Sequence, residues 1–305
     1  MRVIRAADAD VLVLAGIDRD EDGVALAALA EAIGGYPHRY SGPTNRGVPT
    51  GADLDGDGRL GEAEDSEGFG AFTGQGALAI LSRLPIDAKG IRDWTGLRWR
   101  DLPGNLAPPE TAPERRLSTT SHWLVPVILP DDTRLSLLTW YATPPVFDGP
   151  EDRNGRRNHD EAALWLRLLG GEFGPPPMPP FAIIGIANLD PEDGDGRPEA
   201  LKALLSDPRL QDPRPSSAGG TYAARTQGGA NTRHKGNPAL DTADWSDDGR
   251  GPGNLRVSYL LPDAAAKVTA SGVFWPGPGE PLVDETSRAS RHRLVWVDIC
   301  LSVCP

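Results

Sequence analysis

The chain has 305 residues, of which 39% are apolar and 24% charged, and this composition is ordinary for a globular protein with a large core. Its formal net charge of −12 argues against a broad nucleic-acid-binding surface, because such a surface would be basic. Acidity alone does not exclude a nuclease, since bound divalent cations reverse the local field. No apolar run is long enough to span a bilayer.

The two ends of the sequence say little about function. Residues 1–10 do not form a signal peptide, because Asp8 and Asp10 interrupt the segment before any apolar stretch develops. Cys300 and Cys304 are compatible with a mutual disulfide, a bond to a partner chain, or free thiols, and they make neither a disulfide scaffold nor a zinc site. Without a repeat or a clear linker, we expect a single domain over residues 1–305.

Short apolar runs alternate with a few helical patterns along the chain. Strands are predicted at 11–14, 76–81, 122–129, 134–143, 182–186, 255–261, 267–275 and 294–303, and helices at 24–33, 158–169 and 198–205. The segments 36–51 and 207–254 are predicted to be loops. At the start of the second helix, Asn158 or Asp160 is expected to be the N-cap.

Residues 53–64 fit the twelve-position loop that binds calcium in EF-hands. Carboxylates stand at positions one, three and five, and Gly58 at position six permits the sharp turn. The predicted ligands are Asp53, Asp55, Asp57, the carbonyl oxygen of Arg59, and Glu64. The alternative is a solvated acidic loop, but packed carboxylates repel one another unless a cation offsets them. We therefore predict a structural Ca²⁺ site, which is compatible with a secreted or periplasmic protein.

Several segments, in their order along the chain, resemble the endonuclease/exonuclease/phosphatase family of metal-dependent phosphodiester and phosphomonoester hydrolases. The segments are 74–76, 81–86, 121–123, 142–161 and 241–245. The chain is most similar to a bacterial branch that carries a calcium-type loop. The resemblance implies an α/β (α+β) fold, a four-layer sandwich of two mixed β-sheets flanked by helices, with the active site at one end of the strands.

The chemistry that this family performs needs a carboxylate for the divalent metal, an Asp-oriented His, and an Asp–Asn pair that activates water. Position by position, the resemblance places these groups largely on residues of other types. The substituted positions are Gly16, Tyr141, Ile186, Ser258 and Arg291, and the remnants of the catalytic set are Asn188 and His292. Arg291 cannot accept a proton from His292 and would repel its imidazolium.

These substitutions predict a catalytically degenerate or repurposed protein, a pseudoenzyme that acts as a binding or interaction module. Asn158 and His159 are candidate contacts to a ligand in its pocket. The alternative is an active Mg²⁺- or Mn²⁺-dependent phosphodiesterase, nuclease or phosphatase, with Asp18, Asp160, Asp190 or His159 replacing the lost ligands, or a pocket with other chemistry.

The family's first strand, which carries an Asn of the metal site, has no counterpart before Met1 in this sequence. In the family that strand is central to a sheet. We therefore expect this single domain to lack it. Three explanations are compatible with the sequence: an upstream segment that has been omitted, a protein partner or second chain that supplies the strand, and a rearranged core.

Overall fold

The computed structural model describes residues 1–248 and 250–300. Within them the helices are α1 (Arg2–Ala7), α2 (Val24–Ile33), α3 (Arg153–Leu169), α4 (Glu199–Leu205), α5 (Ala218–Gln227) and α6 (Val283–Ala289). The strands are β1 (Val11–Ile17), β2 (His38–Tyr40), β3 (Ala77–Ser82), β4 (Arg92–Asp93), β5 (His122–Ile128), β6 (Arg134–Tyr141), β7 (Phe181–Ile186), β8 (Ala243–Asp244), β9 (Asn254–Leu255), β10 (Ser258–Pro262), β11 (Lys267–Phe274) and β12 (Leu294–Cys300). Cys304 and the last residues of the predicted final strand lie outside the described residues.

Two sheets pack face to face and helices cover their outer faces. The larger sheet has the order β10-β7-β6-β5-β4 and is mixed, since β6 and β7 are parallel while the other neighbours are antiparallel. The smaller sheet has the order β1-β3-β2. Between them Leu78 and Ile80 of β3 join a buried cluster with Trp123 and Val125 of β5. This arrangement confirms the predicted α/β sandwich.

Helices α3 and α4 cover the larger sheet, and α2 covers the smaller one. Trp165 of α3 and Leu201 of α4 are buried in one cluster with Ile183 of β7. Leu26 of α2 packs with Leu81 of β3 in a separate cluster. Burying one apolar face of each helix against a sheet provides most of the stability of such layers.

Strands β11 and β12 form a separate two-stranded sheet. They pair only with each other within the described residues, and β1 is an edge strand of its own sheet. Apolar side chains of β1 and β12, such as Val13 and Trp296, are only half-buried.

The predicted helix starting at Asn158 in fact begins at Arg153, with Asp152 at its N-cap. The prediction that Asn158 or Asp160 is the N-cap is therefore wrong. The first turn lacks apolar periodicity because its side chains bind loop carbonyls instead, as when Arg153 donates to the Leu54 carbonyl.

Two segments predicted as loops contain regular structure. Residues 207–254 include α5, where the Ser217 side chain accepts a hydrogen bond from the Gly220 amide at the N-cap. Because α5 consists largely of small residues, its sequence shows no helical spacing of apolar side chains. Residues 36–51 include the three-residue strand β2. No helix in the described part of the chain is long and apolar enough to cross a membrane.

Candidate functional site

Three of the substituted positions lie side by side at one edge of the larger sheet. In the strand register, Tyr141 at the end of β6 is paired with Ile186 at the end of β7, and Ile186 is paired with Ser258 at the start of β10. We call Tyr141, Ile186 and Ser258 the strand-end row. The row offers a phenol, a branched alkyl group and a hydroxyl, but no carboxylate or imidazole. This donor set does not fit a catalytic divalent cation, which takes carboxylate ligands.

Gly16 lies near the end of β1 and adopts a backbone conformation that favours glycine. Its φ is +78°, and the pairing of β1 with β3 shifts register between Ala15 and Ile17. A Cβ at this position would meet no atom within 4 Å, so the conformation rather than space constrains the residue. A glutamate here would have to adopt a left-handed backbone that costs about 1 kcal/mol or more.

His292 is mostly buried, and one of its ring nitrogens has no hydrogen-bond partner within the described residues. Its Nδ1 accepts or donates no hydrogen bond within the described residues. Its ring meets Trp245 edge-on at 5.5 Å between centroids. Burial, and then the neighbouring charge of Arg293, lower the pKa of His292 to about 4. His292 is therefore a neutral, packed side chain near pH 7. The residue before it in the chain is the exposed Arg291, which is not an acid.

The two asparagines of the predicted site tie loops together. The Asn188 side-chain amide donates to the Ala142 carbonyl at 2.7 Å, from a backbone with φ of +52°. The Asn158 amide donates to the carbonyls of Thr143 at 2.7 Å and Ala187 at 2.6 Å. Both residues thus join the segment after β6 to the segment after β7. Their amide groups are engaged in holding these loops.

The candidate replacement ligands are not brought together. The buried Asp160 accepts hydrogen bonds from the Trp99 indole and the Leu106 amide, both at 2.6 Å, and lies 2.9 Å from His159 Nδ1. Asp190 accepts from the Arg256 amide at 2.7 Å and from the two amides that follow it in its own turn. Asp18 is exposed and accepts from the Gly76 amide at 2.9 Å. Among the described residues, none of these groups belongs to a cluster with metal-ligand spacing.

Asp190 lies in the turn after β7. It is buried there and caps the turn. Its pKa is raised by burial, although the amide donors oppose the shift. The hydrogen bonds to three backbone amides explain why this carboxylate tolerates burial.

A buried polar network behind β6 was not predicted. Glu161 accepts hydrogen bonds from the amides of Thr119 at 2.6 Å and Thr143 at 2.7 Å, and burial raises its pKa to about 7 against the opposing charge of Arg157. His122 donates from Nε2 to the Glu161 carbonyl, and the Ser118 hydroxyl lies 2.6 Å from its Nδ1. Burial lowers the pKa of His122 to about 3. Polar residues inside an otherwise apolar strand were the only signal in the sequence.

The predicted calcium loop brings three of its carboxylates together. Ligand oxygens of Asp53, Asp55 and Asp57 all lie within 4.8 Å of one another. Gly58 has a φ of +86°, as the sharp turn at position six requires. The hydrogen bond from the Gly58 amide is the largest influence lowering the pKa of Asp53.

Glu64 is exposed and stands outside this group of three. Asp65, which was not predicted, closes the loop instead by accepting hydrogen bonds from the Leu54 amide at 2.8 Å and the Gly61 amide at 2.9 Å. The Arg59 guanidinium pairs with Glu62 at 3.3 Å. Three carboxylates fit an oxygen-ligated cation.

The sequence profile of the Endonuclease/Exonuclease/phosphatase family matches residues 1–292. This chain belongs to that family. The family normally consists of metal-dependent phosphoester hydrolases, and this chain has their fold.

Solved structures agree on the fold. An endonuclease/exonuclease/phosphatase from Beutenbergia cavernae matches with a TM-score of 0.58 and 20% identity, over 98% of this chain and 64% of the other. This chain thus spans less than two thirds of that protein. An endonuclease/exonuclease/phosphatase family protein from Leptotrichia buccalis matches with a TM-score of 0.50 and 14% identity, over 98% of this chain and 90% of the other. A 3' phosphatase from Neisseria, solved with a product DNA hairpin, matches with a TM-score of 0.50 and 18% identity, over 98% of this chain and 94% of the other. No curated protein sequence matches the chain.

Proposed function

We propose that this chain is a member of the endonuclease/exonuclease/phosphatase family that does not hydrolyse phosphoesters and serves as a binding or interaction module. The strand-end row carries this proposal, because neighbouring strands bring together Tyr141, Ile186 and Ser258 without a carboxylate. Metal-assisted hydrolysis needs a charged ligand to hold the cation and a base to orient water. Losing such groups together costs many orders of magnitude in rate.

His292 supports the same proposal from a different strand. A histidine whose pKa is about 4 is neutral at pH 7 and is a poor general base. Its unpartnered Nδ1 also leaves the ring without the carboxylate that would fix its tautomer. The residue therefore contributes packing against Trp245 rather than proton transfer.

The hydrolysis of bis-p-nitrophenyl phosphate in the presence of 10 mM Mg²⁺ or Mn²⁺ tests the proposal. We expect no turnover above the rate of buffer with metal, and no difference between wild type and His292→Ala. Metal-dependent turnover that EDTA removes and His292→Ala abolishes would establish the alternative, an active phosphoesterase. Metal-dependent activity that survives His292→Ala and stays with the protein through a second chromatography step would also contradict the proposal. Activity that separates from the protein at that step belongs to a contaminating enzyme.

The acidic loop is proposed to hold a structural Ca²⁺ ion. Support comes from the convergence of Asp53, Asp55 and Asp57 and from the glycine turn at Gly58. Calorimetric titration with CaCl₂ should give one site for wild type and none for Asp53→Ala. Asp284→Ala, which removes an exposed carboxylate from α6, should bind like wild type. Equal binding by Asp53→Ala would disprove the site.

We further propose that a partner chain adds a β-strand between β1 and β12. Both strands have an unpaired edge within the described residues, and most of their apolar side chains are only partly buried. Unpaired strand edges present free amide and carbonyl groups that pair readily with another chain.

The oligomeric state and hydrogen exchange test this proposal together. We expect the purified protein to self-associate or to co-purify with a stoichiometric partner, and the outward amides of β1 to exchange slowly in that complex. A monomer that unfolds reversibly and cooperatively, with rapidly exchanging β1 amides, would contradict strand addition.

A further inference from the structure

A cavity of about 480 Å³ lies beside the C-terminal end of α4 and apart from the strand-end row. It is lined by Lys202 of α4, by Ser206 at the C-cap of that helix, by Asp190 from the turn after β7, and by Asp241 from the segment that precedes β8. None of Tyr141, Ile186, Ser258 or His292 contributes to its wall. The cavity is large enough for a small organic ligand.

The wall contains one buried carboxylate without a hydrogen-bond partner. Asp241 is 6% exposed, and no described residue donates a hydrogen bond to its side chain. The other acids of the wall differ in this respect. Asp190 accepts from three backbone amides, and Asp212 forms a two-bond pair with the Arg256 guanidinium at 2.6 and 2.8 Å. A buried carboxylate without such donors lowers the stability of the fold.

No positively charged side chain in the described part of the cavity wall pairs with Asp241. Asp190 and Asp193 both repel its ionised form, and burial together with these two acids raises the pKa of Asp241 to about 8. The cations of the wall face other acids, since Lys202 pairs with Glu192 at 3.4 Å and Arg256 with Asp212. Arg214 donates its backbone amide to Asp212, leaving its exposed guanidinium at the rim.

We propose that this cavity binds a small ligand through a protonated primary amine that docks on the Asp241 carboxylate. An ammonium group brings a positive charge and three N–H donors, which is what an unpartnered carboxylate in a polar cavity lacks. A divalent cation fits poorly because it needs several oxygen ligands at 2–3 Å, and the described residues place that spacing only at Asp53, Asp55 and Asp57.

The proposal predicts a distinctive pH dependence. Near pH 7 the Asp241 carboxyl holds its proton, so the docking of an ammonium expels that proton. The affinity should therefore rise about tenfold per pH unit below pH 8 and level off above it, while the amine itself stays protonated. The charged groups near this site are Asp190, Glu192, Asp193, Lys202, Asp212, Arg214 and Arg256.

Calorimetric titration of the full chain with putrescine at pH 8.5 tests the site. We expect saturable binding by wild type, at least tenfold weaker binding by Asp241→Asn, and no binding of butane-1,4-diol. Asp284→Asn removes an exposed aspartate of α6 and should match wild type. Absent binding by wild type, or equal binding by Asp241→Asn, would overturn the proposal. Tighter binding of methylguanidinium than of methylammonium would overturn the assignment to a primary amine.

Two further measurements separate ligand binding from folding. Asp241→Asn removes an unpartnered charge, so above pH 8 it should melt at a higher temperature than wild type, and this difference should disappear below pH 4. An Asn variant that is less stable at pH 9 would mean that Asp241 is satisfied without a ligand. Titrations at pH 7 in phosphate and in Tris should reveal the release of about one proton on binding, and a heat that is independent of the buffer would contradict docking on Asp241.

Discussion

Two adjoining regions of this protein differ sharply in the polarity of their side chains. The strand-end row presents Tyr141, Ile186 and Ser258, and carries no charge. Directly behind it, α3 contributes a set of buried polar groups that we call the polar frame, namely Arg157, Asn158, Asp160 and Glu161. Each of these four side chains makes at least two hydrogen bonds to backbone or indole groups. The polar frame therefore holds loops in place, whereas the row offers no charged group.

The physical cost of substitution explains this contrast. A residue of the polar frame satisfies buried amides or carbonyls, so its loss leaves those groups without partners. The residues of the strand-end row are only partly buried and satisfy few other groups. Substitutions in the row therefore cost the fold little, whereas the residues of the frame must be kept for the protein to remain folded.

Arg157→Met gives the largest effect that this comparison predicts. Arg157 is buried and donates to the carbonyls of Leu117, Glu67, Arg116 and Ser118 at 2.8 to 3.3 Å. Methionine fills the volume but leaves these carbonyls without donors, so we expect a loss of about 3–5 kcal/mol in the free energy of unfolding. Urea unfolding followed by circular dichroism measures this loss.

The neighbouring Arg156→Met is the matched control for this substitution. Arg156 is more exposed, and within the described residues its side chain donates one hydrogen bond, to the Glu151 carbonyl at 3.1 Å. We expect it to change the free energy of unfolding by less than about 0.5 kcal/mol. Equal losses for the two variants would show that the polar frame is no more important than the surface of α3.

His292→Phe tests whether this histidine still belongs to an acid–base pair. Its pKa of about 4 in the folded protein lies below the ordinary 6.5, so the unfolded chain binds more protons between these values. The stability associated with His292 is present above pH 6.5 and is lost as the pH falls toward 4. Phe does not titrate, so the stability of His292→Phe relative to wild type should rise by about 2 kcal/mol between pH 7 and pH 5.

Urea titrations of both proteins at pH 7, 6 and 5 provide the measurement. A difference that runs in the opposite direction would mean that the imidazolium is stabilised by a carboxylate in the folded state. That result would restore the acid–base pair which the unpartnered Nδ1 argues against. Comparing the two proteins removes the contributions of Glu161 and Asp241, whose raised pKa values oppose the effect of histidine.

The contrast also shows how much of this molecule could be predicted from its sequence. Motif order identified the family and the layers, and spacing identified the convergence of Asp53, Asp55 and Asp57. The polar frame could not be predicted, because its partners are carbonyls and amides 15 to 90 residues away in the chain. The start of α3 was misplaced for the same reason, since the first turn binds loops and shows no apolar period.

The site was predicted unevenly for a related reason. That Gly16, Ile186 and Ser258 carry no carboxylate can be read from their residue types alone. The unpartnered Asp241 cannot be read this way, since an aspartate at the end of a loop is usually solvated. Only the packing of α4 and the turn after β7 around it shows that it is buried.

Ile186→Asp returns a carboxylate to the strand-end row and gives the smallest expected effect. The new side chain would lie half-buried between Tyr141 and Ser258, so we expect a loss of about 1–2 kcal/mol in the free energy of unfolding. Because Gly16 offers no second carboxylate, 10 mM Mg²⁺ should leave the melting temperature of Ile186→Asp unchanged. Ile184→Asp would be a poor control, since Ile184 packs against the inter-sheet cluster. Ser258→Asn, which changes the same row without adding charge, is the better one. If Mg²⁺ stabilised Ile186→Asp but not Ser258→Asn, other oxygen ligands would have to remain within reach of the row. In that case a single substitution in the strand-end row, rather than the loss of every metal ligand, would be enough to explain why the row lacks a cation site.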